Sequence, residues 1–314
     1  MKDLRGVNAK LISAFKSSKL YKLVKENPRE VLACIRNNAI GIYYNADRVA
    51  MASFDRKGKL KCTINNYYLN GRKNEKANRV YTPDEIYNSF NVIKNNSDKR
   101  STLEKKAQQA LVYSNNANPQ SKWICLDIEY RQSTKVQVGI KEKDQFTGRF
   151  DIIAISETKP HRIAIIELKY NGGAIRGKSG VVKHLKDFYN FNNELCIDNL
   201  KKEIQTVLGN LTELGLSDNL PNILDPQKDF IEEVEFYMIC LYDTKNSPRG
   251  TVGGYLFKEK RPEWGTKRVS KKNAENELPA GCDILNKVKF LFKRVHGPVN
   301  LDIDDILDIS NYEN

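Results

Sequence analysis

The 314-residue chain reads as an α/β protein with a small α+β module in front of its main domain, and three observations point there. Residues 151–155 and 162–169 are two runs rich in β-branched side chains, separated by Thr158-Lys159-Pro160, which is the pattern of adjacent strands in a hairpin. Helical stretches are expected on either side of that hairpin, over 101–115 and 181–192. Upstream, the hydrophobic period changes to two from Ala39, after a start that reads as helical.

The first module, residues 1–95, divides at that change of period. Gly6 to Val24 is expected to be helical, with Leu11, Phe15 and Leu20 on the apolar side, and Pro28 to Arg36 to be a second short helix opening on its proline. Residues 40–44, 49–54 and 60–64 alternate as antiparallel strands. Asn45-Ala46-Asp47 and Arg56-Lys57-Gly58 supply the turns. Tyr43, Tyr44, Tyr67 and Tyr68 lie among basic residues and could stack nucleobases, although tyrosine is also an ordinary strand residue. The polar stretch 95–100 reads as a linker.

The main domain, residues 100–300, holds the residues that suggest chemistry. Gly148-Arg149-Phe150-Asp151 is followed, after fifteen residues, by Glu167-Leu168-Lys169. Side chains alternate along a strand, so Glu167 and Lys169 share a face and Leu168 takes the other. Apolar neighbours on both sides would bury these charges, which is costly unless they are paired or used. Two carboxylates suit a hard divalent cation such as Mg²⁺. A lysine beside them could orient an attacking water or hold a phosphate.

Gly-x-x-Asp, the gap and Glu-x-Lys, on consecutive strands, resemble the PD-(D/E)XK nuclease superfamily over roughly residues 100–260. The resemblance implies a restriction-endonuclease-like core, ordered helix, three strands, helix, strand, with a mixed central sheet flanked by helices. Ser101–Asn115 would be its first helix, with Ser101 and Glu104 spaced as a capping box. Trp123–Tyr130 would be the first strand, carrying Asp127 and Glu129 on one face. Val181–Asn192 would be the second helix, and Glu235–Asp243 the fourth strand.

The same resemblance implies Asp151 and Glu167 as ligands of Mg²⁺ or Mn²⁺ and Lys169 as the residue that positions water. Glu104 is either a further ligand or only a helix cap. Phe150 stands where the family often has proline. On the second helix, where some members carry a Gln and a Tyr four apart, this chain offers His184, Lys186 and Tyr189, with Phe188 at the tyrosine spacing from His184. His184 is therefore a candidate for phosphate or water contact, or an ordinary surface histidine. The expected activity is metal-dependent hydrolysis of nucleic acid, DNA favoured over RNA, in restriction, repair or anti-phage defence. A homodimer or a defence-system partner protein is expected to accompany it.

A second motif competes. Gly172 to Ser179 satisfies Gly-x4-Gly-Lys-Ser, and the run ending at Asp243 could supply its Mg²⁺ carboxylate, which would make a nucleotide triphosphatase. That reading leaves Glu167 and Lys169 unexplained. Under the nuclease reading, Arg176 and Lys178 contact nucleic-acid phosphates instead. A non-catalytic nucleic-acid-binding or effector subunit is the remaining alternative.

Charge favours a polyanionic partner. The chain carries +13, and residues 1–100 alone hold 21 Lys/Arg against 9 Asp/Glu. Residues 257–272 form a further basic stretch, and the tail 301–314 has five acids and no base. Six cysteines, the closest pair being Cys34 and Cys62, form no metal-binding or disulfide framework. The N-terminus has no secretory pattern, and the longest apolar run, Phe236–Tyr242, is far short of the ~20 residues of a membrane span. A cytoplasmic protein without membrane association is expected.

Overall fold

A computed structural model describes residues 5–72, 77–138, 141–172, 180–216, 220–253, 283–301, 307–308 and 312–313, with the side chains of 133–147 excepted. It is mixed α/β with two five-stranded sheets. The chain divides into two compact units, residues 1–109 with 201–226, and 110–200 with 227–314.

In the first unit, helices α1 (Ala9–Lys16) and α2 (Lys19–Glu26) precede strands β1 (Leu32–Arg36), β2 (Ala39–Tyr44), β3 (Asp47–Phe54) and β4 (Leu60–Asn65). The short α3 (Tyr67–Asn70), β5 (Asn78–Tyr81), α4 (Pro83–Asn88) and α5 (Phe90–Arg100) follow. The strands pair as an antiparallel meander in chain order. The β2–β3 turn has left-handed backbone at Asn45 and Ala46 (φ 52° and 53°), which matches the twist of a two-residue hairpin.

Four local expectations change here. The single helix over 6–24 is broken at Ser17-Ser18, where the Ser18 hydroxyl donates to the Phe15 carbonyl. Pro28 opens a turn rather than a helix, and the apolar run Leu32–Ile35 pairs with β2, because a ladder partner outweighs the helix-start signal. The proposed linker 95–100 is the last part of α5. Its polar residues are used inside: Asn96 donates to the Tyr68 carbonyl, and Ser97 to Asp47. Tyr43, Tyr67 and Tyr68 are buried, so they pack rather than present faces for base stacking.

This unit also extends beyond the expected boundary at residue 95. Val207, Leu211 and Leu214, from the second half of helix α8 (Glu194–Leu214), belong to the same apolar core as Leu11, Phe15 and Leu20. The Tyr21 hydroxyl and the Lys16 ammonium donate to the carbonyls of Leu214 and Glu213, satisfying the open end of that helix.

In the second unit, the sheet runs β10-β9-β8-β7-β6. Its strands are β6 (Trp123–Val138), β7 (Lys141–Ser156), β8 (His161–Tyr170), β9 (Phe230–Tyr242) and β10 (Val288–Arg294). β6, β7 and β8 are antiparallel neighbours, whereas β8, β9 and β10 are parallel, so the sheet is mixed. Residues 152–155 and 163–166, almost all Ile or Ala, are essentially inaccessible, which requires cover on both faces. Helix α7 (Val181–Phe191) supplies cover through Phe188, which stacks on Phe150 at 5.4 Å and meets Phe236 at 5.0 Å.

From the sequence, Ile284 to Val295 reads as a terminal helix with Leu285, Val288, Leu291 and Phe292 facing inwards, and that helix is not formed. One turn, Ile284–Lys287, gives way to β10, because Val288–Arg294 finds a parallel ladder partner in β9, beside which Phe290, Leu291 and Phe292 are all buried.

At the far end of this sheet, Glu235 accepts from Arg162, Lys289 and Tyr237, and Arg162 lies over the Trp123 ring at 4.9 Å. Burial alone would raise the Glu235 carboxyl, but these donors outweigh it and bring it down to about 2. The folded value lies below the unfolded one, so its stabilisation is complete above about pH 4.5 and lost as pH falls toward 2. Arg162→Met should therefore move the acid-unfolding midpoint to higher pH, read by circular dichroism; an unchanged midpoint would refute the coupling.

Leu214 is fully buried in the first unit's core. Leu214→Ala should cost about 2–5 kcal/mol by urea denaturation. A loss below about 0.5 kcal/mol would mean that α8 is dispensable to that core.

Candidate active site

The β7–β8 register sets the geometry. Ile152 pairs with Ile166 and Ile153 with Ile165, and continuing by one residue sets Asp151 beside Glu167. Asp151 Oδ2 accepts the Leu168 backbone N–H at 2.8 Å. The carboxylate therefore takes a donor of β8 one residue beyond the Ile152–Ile166 pair.

Two residues along β8, the Lys169 ammonium donates to Glu167 Oε1 at 2.8 Å. Their side chains are only 1% and 3% exposed, so this is an ion pair in the protein interior. The alternation expected from sequence holds: Glu167 and Lys169 meet, while Leu168 is buried apart from them in the core.

His184 brings a third group. Its Nε2 lies 3.0 Å from the same Glu167 Oε1, and its Nδ1 lies 3.8 Å from Asp187 Oδ2. A carboxylate oxygen can only accept, so Nε2 carries a proton in this arrangement. α7 is held by its buried stripe Val181, Leu185, Phe188 and Phe191, and His184 falls within that stripe, three residues after Val181 and four before Phe188. The first turn of α7 thus brings His184 to Glu167. Asp187, which the sequence did not single out, is buried and also pairs with Lys183. Burial raises its carboxyl against the opposing pull of Lys183.

On β6, the expected sharing of a face by Asp127 and Glu129 is disturbed. The β6–β7 register shifts between Cys125 and Asp127, and Glu129 has left-handed backbone at φ 53°. Asp127 is buried, with Oδ1 accepting from Ile128 N–H, whereas Glu129 pairs with Arg149.

Glu104 lies in the first turn of α6 (Leu103–Ala117), in the other unit from Asp151 and Glu167. The helix begins at Leu103, one residue later than a Ser101 cap would start it. Thr102 caps instead, its hydroxyl accepting from Lys105 N–H at 3.3 Å, and Ser101 donates to the Asn45 carbonyl. Arg176 and Lys178, with most of the glycine-rich motif and the basic stretch 257–272, lie outside the described residues.

Among the described residues, no group of three or more His, Cys, Asp or Glu side chains is arranged to hold a metal ion. Two adjacent carboxylates still fit a hard cation that completes its shell with water and phosphate oxygens. Also among the described residues, no helix is long and apolar enough to cross a membrane. Comparison with family models, curated proteins and solved structures finds no match to this chain.

Removing one member of a buried ion pair leaves an uncompensated charge. Lys169→Met should cost about 3–5 kcal/mol, and the double variant Glu167→Gln/Lys169→Met clearly less. Urea midpoints of the two proteins decide this; equal losses would mean that the pair is not coupled.

Proposed function

We propose that this protein is a metal-dependent nuclease of the PD-(D/E)XK type, acting on DNA in preference to RNA. The observation that carries the reading is the register that sets Asp151 beside Glu167 on two adjacent strands, with the Glu167–Lys169 pair buried. The element order follows what the resemblance implies, α6, then β6, β7 and β8, then α7, then β9, with α8 and the short helix Pro226–Asp229 inserted before β9, and β10 added after it.

Asp151 and Glu167 would hold Mg²⁺ or Mn²⁺. A cation held there would supply neutralisation of charge on the scissile phosphate and acidification of a bound water. Lys169 orients the Glu167 carboxylate and presents a proton donor to the water or phosphate. His184 fixes Glu167 from the helix side. Glu104 remains a weaker candidate ligand, and Arg176, Lys178 and the residues around them are assigned to phosphate contact. The +13 charge supports a polyanionic substrate. A cytoplasmic restriction or anti-phage role, as a homodimer or with a defence-system partner, is the setting that suits such an enzyme.

The triphosphatase reading is less well supported. Asp243, its required carboxylate, accepts from the Tyr170 hydroxyl at 2.9 Å and the Asn171 amide at 3.0 Å.

DNA hydrolysis with Mg²⁺, abolished by chelator, is the test. Asp151→Asn, which keeps an acceptor for Leu168 N–H, and Lys169→Ala should each lower the rate at least about a hundredfold. His184→Ala should lower it about tenfold, the smaller effect expected of a group acting through Glu167. Wild-type rates in Asp151→Asn, or nucleotide hydrolysis lost only in Lys178→Ala, would reject the nuclease.

A further inference from the structure

β6 and β7 are far longer than the sheet they belong to. Each has 16 residues, and they pair from Trp123–Ser156 out to Val138–Lys141. β8 pairs with β7 only at Ile152–Ile155. Beyond Asp151, therefore, the two strands continue as a ribbon with no third strand among the described residues. From Gln132 and Gly148 outward it extends about 20 Å at 3.4 Å per residue.

The departure point is marked twice in the backbone. Glu129, between the pairs Ile128–Ile152 and Tyr130–Phe150, has φ 53°, and the register shifts again between Gln132 and Ser133. Bulges and left-handed residues raise twist and re-aim a ribbon. The ribbon base is anchored: Arg149 pairs with Glu129, and the Gln132 amide reaches the Cys196 carbonyl.

A two-stranded ribbon is by itself marginal in water, and among the described residues no strand pairs with either side of this one beyond Asp151. The chemistry of 131–149 selects a partner. The segment carries five Lys/Arg against two Asp/Glu, and the remainder is rich in Gln, Ser and Thr. Lysines engage phosphates, and Gln amides such as those of Gln137 and Gln145 are suited to the adenine edge. The DNA major groove, about 12 Å wide, admits a two-stranded ribbon. The A-form major groove of duplex RNA is too deep and narrow to be read in this way.

We infer that the β6–β7 ribbon is a DNA-gripping arm that enters the major groove, making double-stranded DNA the substrate of the Asp151/Glu167 site. This rests on the nuclease reading for the word substrate. The grip itself is independent of cleavage, because Asp151 stands at the ribbon's root and binding needs no metal.

Binding is measured in chelator with short duplex DNA, single-stranded DNA and duplex RNA. Lys135→Glu/Lys141→Glu/Lys143→Glu should weaken duplex DNA binding at least about tenfold and flatten the dependence of log K on log salt by about 2–3. Single-stranded DNA and duplex RNA should be affected far less. On the unaltered protein, guanine N7 should be protected from dimethyl sulfate. No duplex binding by the wild type, unchanged duplex affinity in the variant, equal losses on all three nucleic acids, or protection of adenine N3 alone would each overturn the arm. Mg²⁺-dependent cutting of duplex DNA by the unaltered protein is scored separately. Its absence removes the nuclease and leaves the arm standing, whereas its presence with unchanged duplex binding removes the arm and leaves the nuclease.

Discussion

Burying a charge is the constraint around which the second unit is organised. Taking an ammonium and a carboxylate out of water costs several kcal/mol each, and only close mutual contact with further hydrogen bonding offsets it. Lys169 and Glu167 meet that condition at 2.8 Å, and His184 adds a second donor to the same oxygen. A pair of leucines at these positions would serve stability as well or better. The arrangement is therefore better explained by what the charges can do than by what they hold together. In a dry site each charge also acts more strongly on whatever binds beside it.

The apolar parts of the unit set where those charges stand. The isoleucine-rich centre of β7 and β8 fixes register, since a slip by one residue would turn every buried side chain to the opposite face. Phe150, Phe188, Phe191 and Phe236 hold α7 against the sheet, with ring centroids 5.0–5.4 Å apart where they stack or cross. That packing delivers His184 to Glu167. Asp151 stands where β7 leaves the sheet: on one side of it the strand is part of a sealed core, on the other it is half of a ribbon.

Much of this was legible in the letters. The alternation in Glu167-Leu168-Lys169 and the β-branched runs around it led directly to the hairpin and to the buried pair. His184 could have been ranked higher, because Val181, Leu185 and Phe188 place it on an apolar stripe rather than an exposed face. Helix α8 was also readable, with Cys196, Leu200, Ile204, Val207, Leu211 and Leu214 spaced by three or four. Other features had no local signal. Pro28 and Ser101 are sound helix-start residues that lost to a ladder partner and to a neighbouring cap. Phe290-Leu291-Phe292 suits a buried strand as well as a buried helix turn, and only β9 decides between them. The sharing of α8 between two cores depends on contacts nearly two hundred residues apart in the chain, such as Tyr21 with Leu214.

Charge is divided between the units in a way that complements the buried site. Residues 1–109 with 201–226 hold 25 Lys/Arg against 14 Asp/Glu, so +11 of the chain's +13 resides there. The remainder, including Asp151, Glu167 and the ribbon, is close to neutral. Long-range attraction of a polyanion depends on net surface charge and is screened over about 8 Å at physiological salt. Selectivity at a phosphodiester, by contrast, depends on a few groups at contact distance. A near-neutral unit can hold paired carboxylates for a cation without a surrounding field that would repel it, and a strongly basic unit can gather nucleic acid without reading it. On the proposed nuclease reading, separating the two tasks would let salt tune encounter while leaving the buried pair, shielded from solvent, little affected.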